Sequence, residues 1–92
     1  MADDDQIGYQ ALPRGVPVVA SDGVEIGTVH KVLDNAREHI FDGIEVRTRD
    51  GIRFVDAPEV VRITARQVTL SIDAAEAAAL PLRGGWRRWL SR

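Results

Sequence analysis

The residues of this chain best suited to chemistry are its two histidines, His30 and His39. Imidazole is the usual general base near neutral pH and the commonest metal ligand. Asp34, Glu38 and Asp42 lie close to them in sequence. Two histidines and a carboxylate form a conceivable metal set. Their spacing matches no diagnostic ligand motif, and residues on a strand and in the following turn can face different ways. Exposed or locally hydrogen-bonded histidines are the alternative, and that is the expectation adopted. No catalytic residue, metal ligand or cofactor-binding residue is assigned.

Other reactive arrangements are weaker still. Ser21, Ser71 and Ser91 lack the Gly-x-Ser-x-Gly elbow of a hydrolase nucleophile. No glycine-rich turn leads from a strand into a helix bearing Lys and Ser or Thr, as phosphate loops require. Cysteine is absent, which excludes disulfides, thiolate catalysis and thiolate-held metals. Paired carboxylates for glycoside chemistry need a cleft, which a filled small barrel rarely offers. The expected class is therefore non-enzymatic.

The sharpest chemical signature is at the C-terminus. Trp86-Arg87-Arg88-Trp89-Leu90 holds both tryptophans of the chain, with Arg83 and Arg92 nearby and no acidic residue in the stretch. Tryptophan with arginine can stack on bases, lie at a membrane interface or anchor a protein contact. Arg83, Trp86, Arg87, Arg88 and Trp89 are the candidate partner-binding residues. The competing reading is that the indoles cover the apolar end of the domain, on the same chain or a twin, and leave the arginines in water. A few arginines give weak phosphate affinity at physiological salt, so RNA is a minor alternative and DNA is not expected.

These segments must be positioned by one small domain, since the chain has only 92 residues. Apolar residues make up 45% and charged residues 28%, a globular composition. The net charge of −2 is a cancellation: residues 3–5 carry −3, the last ten carry +4 and the middle carries −3. No apolar run approaches the roughly 18 residues that span a bilayer. The acidic start, Met1-Ala2-Asp3-Asp4-Asp5, is unlike a signal peptide, so a cytoplasmic protein is expected.

Residues 1–12 read as an acidic, flexible arm that Ile7, Tyr9 and Leu12 can tack to the surface. Strands follow. Residues 16–19 form the first, and Pro17 predicts an edge or an outward-facing position, because proline cannot donate to a ladder. Asp22-Gly23 and Asp50-Gly51 are hairpin signals. The strand over 24–33 loses its alternation near Gly27, which predicts a bulge. Strands over 40–48, 52–55, 60–63 and 67–72 complete six. Asp73 with Glu76 forms a capping-box pattern that starts a helix over 73–80, and Pro81 stops it. Two stretches, Gly15-Val16-Pro17-Val18 to Asp22-Gly23-Val24 and Gly43-Ile44-Glu45-Val46 to Asp50-Gly51-Ile52, share their spacing. Two hairpins of equal turn length explain this, with a distant duplication as the alternative.

Residues 18–29, Val-Val-Ala-Ser-Asp-Gly-Val-Glu-Ile-Gly-Thr-Val, resemble the opening pattern of the PRC-barrel family. Asp50-Gly51-Ile52-Arg53-Phe54-Val55 with Pro58 is similar to that family's paired strand and crossover. Val60-Val61-Arg62-Ile63 and Gln67-Val68-Thr69-Leu70 look like its closing strands. The likeness covers residues 15–80 and consists of turn and core positions, which bear on fold more than on function. It implies a small, bent β-barrel used for docking or assembly, as in the reaction-centre H subunit and a ribosome-maturation factor. It transfers no catalytic residue. The acidic arm and the Trp/Arg tail lie outside its pattern.

The expected fold is thus all-β: a six-stranded, partly open, bent PRC-like barrel with one short C-terminal helix, the domain occupying residues 13–80 and the tail 81–92. The expected core is Val18, Ile26, Val29, Val32, Ile44, Val46, Ile52, Phe54, Val61, Ile63, Val68, Leu70 and Ile72. A small core without disulfides and a sheet with open edges both favour a symmetric partner, so a homodimer is expected. The functional expectation is a self-associating protein-interaction or assembly module. The alternative is an RNA-processing or ribosome-associated accessory that uses the tail.

Overall fold

A computed structural model describes residues 6–35, 37–38 and 40–83. Within it the apolar alternation resolves into six strands: β1 (Pro17–Val19), β2 (Glu25–Asn35), β3 (Ile40–Thr48), β4 (Gly51–Asp56), β5 (Val60–Ile63) and β6 (Val68–Leu70). The bounds of β3 and β5 are those the sequence predicts, whereas β6 is shorter at both ends. One helix, α1 (Ala74–Ala77), follows. Among the described residues strand far outweighs helix, and the fold is all-β.

The strands form one sheet in the order β4-β3-β2-β1-β6-β5. β1 to β4 run as an antiparallel meander, and β5 pairs antiparallel with β6. The chain then lays β6 parallel to β1. The sheet is not closed into a barrel, so β4 and β5 are its edges. β1 is an inner strand, which rules out the edge alternative for Pro17 and leaves it half-buried on the opposite face of the strand from buried Val18. The proline is tolerated because it is the first residue of β1 and pairs only with Thr28 of β2.

Four irregularities bend the sheet. Ile26, His30, Asp42 and Val61 are each the unmatched residue where the pairing register slips. An extra residue on one strand bends it and strengthens its twist. The slip at Ile26 sits beside Gly27, where the broken alternation predicts it. Gly27 is required by closeness: a Cβ there would stand 2.1 Å from the Arg47 carbonyl oxygen. The two Asp-Gly turns differ in length. Thr48 pairs directly with Gly51 around a two-residue loop, whereas Val19 pairs with Glu25 around a longer one. Equal turn lengths therefore do not explain the shared spacing of the two stretches.

Bending lets one side of the sheet enclose a single core. Val18, Val29, Ile44, Val46, Ile63, Val68 and Leu70 are buried as expected, and Ile26, Val32 and Ile72 pack against them half-buried. β4 is inverted relative to expectation. Its buried residues are Arg53 and Val55, while Ile52 and Phe54 are half-buried on the opposite face. Pairing with β3 decides this, because Val55 stands opposite Ile44 and Arg53 opposite Val46. Val61 is also not core: its bulge turns it outward, and it is 52% exposed. Leu12, Val16, Ala20 and Ala77 complete the buried apolar set.

The two flanks of the domain extend it. Residues 6–12 are tied to the sheet rather than trailing from it: Gln6 bridges Thr64, the Ile7 amide donates to the Ile63 carbonyl at 2.8 Å, and Leu12 is buried. The helix is only four residues long, against the eight expected. Its capping box is present, with Asp73 accepting from the Glu76 amide at 2.8 Å and Glu76 accepting from the Asp73 amide at 2.9 Å. A helix this short depends on its packing, which here is supplied by buried Ala77. No helix among the described residues is long and apolar enough to cross a membrane.

Candidate functional site

Two surfaces gather the side chains with the most to offer a partner, one at each edge of the sheet. The first is at β4. After α1 the chain returns alongside this edge: the Phe54 amide donates to the Pro81 carbonyl at 3.0 Å, and Leu82 forms a β-bridge with Arg53. The edge is thereby partly covered by the chain's own C-terminal segment, a common remedy for an open strand.

Arg53 holds this segment in place. Its Nη1 donates to the Leu80 carbonyl, and its Nη2 forms an ion pair with Asp50 at 3.3 Å. A buried guanidinium needs such partners, since an unpaired buried charge is costly. On the opposite face, Lys31, Glu45 and Phe54 stand in a cross-strand row over β2, β3 and β4. Arg83 closes that row. Its Nε donates to Glu45 Oε2 at 3.2 Å, and its guanidinium lies 5.1 Å from the centre of the Phe54 ring. Of the candidate partner-binding residues, only Arg83 is described, and it is engaged with its own chain. Trp86, Arg87, Arg88 and Trp89 lie outside the described residues.

The second surface is at β5. Tyr9 and Phe41 stack with ring centroids 4.8 Å apart and planes inclined by 18°. Ile7, Val60 and the outward Val61 line the same groove, whose volume is about 250 Å³. The bulge at Asp42 shifts the phase of β3, and Phe41 packs against the core from there. Polar ends such as the tyrosine hydroxyl leave this surface apolar at its centre and wet at its rim, as interfaces commonly are.

Of the two histidines, one is described. His30 occupies a bulge of β2, where its Nδ1 accepts from Arg47 Nη2 at 3.1 Å. A guanidinium only donates, so that ring nitrogen is committed as an acceptor. His39 lies outside the described residues. Among the described residues, no group of three or more His, Asp or Glu side chains could hold a metal ion.

Sequence reasoning missed Arg53, which alternation placed outside, and the Tyr9–Phe41 stack, which joins the arm to β3. The available signals were the aromatic at position 9 and the charge between two apolar residues in β4, but neither names its partner. With this geometry in view, no known protein family model matches the chain, and no curated protein matches it.

Proposed function

We propose that this protein is a non-enzymatic protein-interaction module of PRC-barrel type that self-associates as a homodimer in the cytoplasm. The observation that carries this reading is the groove at β5, where Ile7, the Tyr9–Phe41 stack, Val60 and the 52% exposed Val61 come together, with Gln6 and Arg62 among the lining residues. A chain of 92 residues without cysteine gains most from covering such a surface with a second copy. The bulge at Val61 sets the manner of contact. Bulges twist an edge strand away from ladder extension, so the two copies meet through side chains rather than by continuing the sheet. The PRC-like reading rests on the turn motifs of residues 18–29 and 50–55.

Light scattering at micromolar concentration tests the proposal. The full chain is expected at twice its monomer mass. Val61→Asp is expected to be monomeric with an unchanged far-ultraviolet circular dichroism spectrum. A monomeric parent chain at these concentrations overturns the self-association. The RNA-associated alternative draws on the tail arginines, and Arg83 favours it least because it is held by Glu45 and Phe54. Salt-steep RNA binding that disappears on deleting residues 83–92 would instead favour that alternative.

A further inference from the structure

We propose that the groove between α1 and the two hairpin turns is the docking site for the indole of Trp86, supplied by the chain's own C-terminal segment. The groove has a volume of about 250 Å³ and is lined by Val24, Ile26, Ala77 and Ala78, with Arg49 and Asp50 on its polar side. That is below the roughly 300–1,000 Å³ typical of small-molecule sites and on the scale of one aromatic side chain. Val24 is one of the few large apolar side chains left exposed, at 49%, and it forms part of this wall.

Reach and charge identify the occupant. Leu82 forms its bridge with Arg53, and Arg53 itself lines the groove. Trp86 is four residues further on, a span of up to roughly 13 Å at full extension. Gly84 and Gly85 stand between, and glycine allows the turns such a path requires. Carboxylates crowd this end of the sheet. Glu25 and Asp50 line the groove, Asp73 and Glu76 cap α1, and Asp22 accepts from the Ala74 amide at 3.3 Å. They complement Arg87, Arg88 and Arg92, which flank the indole in sequence. A cationic edge at Arg49 suits an aromatic face. Docking here is separate from the groove at β5, so it stands whether or not the chain dimerises.

Both tryptophans of the chain lie in this segment, so tryptophan fluorescence reports on the tail alone. In full-length Trp89→Phe, Trp86 is the only source. Its emission is expected to be blue-shifted from that of the denatured chain, with acrylamide quenching reduced several-fold. Ala78→Glu and Val24→Asp, both at exposed positions, are expected to return emission and quenching towards the denatured values while circular dichroism stays native. If one variant unfolds, the other provides the reading. Solvent-like emission in Trp89→Phe overturns the proposal, as does blue-shifted emission that neither groove variant changes. Emission that reverts on dilution also overturns it, because the indole would then come from a second copy.

Discussion

Arg53 and Leu80 are 27 residues apart in the chain and joined by a hydrogen bond from guanidinium to backbone carbonyl. This contact carries a charge on the core face of β4 and fastens the C-terminal segment to the same strand. Arg53→Met keeps the buried aliphatic stem and removes the donors. A hydrogen bond from a charged group is worth about 1.5–3 kcal/mol, and a destabilisation in that range is expected in urea unfolding. Amide exchange at Phe54 should accelerate as well, since its hydrogen bond to Pro81 relies on the same segment. A loss below about 0.5 kcal/mol would show that water replaces the guanidinium freely.

The contact of Gly27 with β3 leaves no room for a methyl group. Gly27→Ala must push two paired backbones apart and is expected to cost about 3 kcal/mol, the upper end for overpacking. Gly8→Ala is the control: a Cβ there meets nothing within 4 Å, and its φ of −73° suits any residue. Its midpoint of thermal unfolding should match that of the parent chain.

Asp73 secures the start of α1 through its bond to the Glu76 amide. Asp73→Ala should cost about 1 kcal/mol, the usual value of an N-cap, and Asp73→Ser should recover most of it. Denaturant titration of the two variants measures the difference. Equal losses would place the stabilisation elsewhere than in the cap.

Arg83 is tied to Glu45 and Phe54 on the outer face, with its own side chain 46% exposed and that of Glu45 15% exposed. The Glu45→Ala and Arg83→Ala double-mutant cycle should give a coupling of about 0.5 kcal/mol at low salt. At 1 M salt, where the Debye length is about 3 Å, the coupling should shrink towards zero. A coupling above about 2 kcal/mol would mean that the pair is far better shielded from water than its exposure indicates.

What sequence alone determined here is local. β-rich runs bounded by turn residues marked β3 and β5 to the residue, because those boundaries are written in near neighbours. Gly27 betrayed its bulge, and Asp73 with Glu76 declared the helix start, since each depends on near neighbours. The chemistry of the tail was equally plain from its residue types. Facing and adjacency were decided only by tertiary structure. Ile52-Arg53-Phe54-Val55 alternates in either sense, and the pairing of Val55 with Ile44 chose which pair turned inward. A charged residue could occupy the core face there because Leu80 and Asp50, remote and near in sequence, both reach its guanidinium. Tyr9 meets Phe41 only because the bulge at Asp42 shifts the phase of β3. Such relationships join distant parts of the chain, and a pattern with a period of two or four residues carries no record of them.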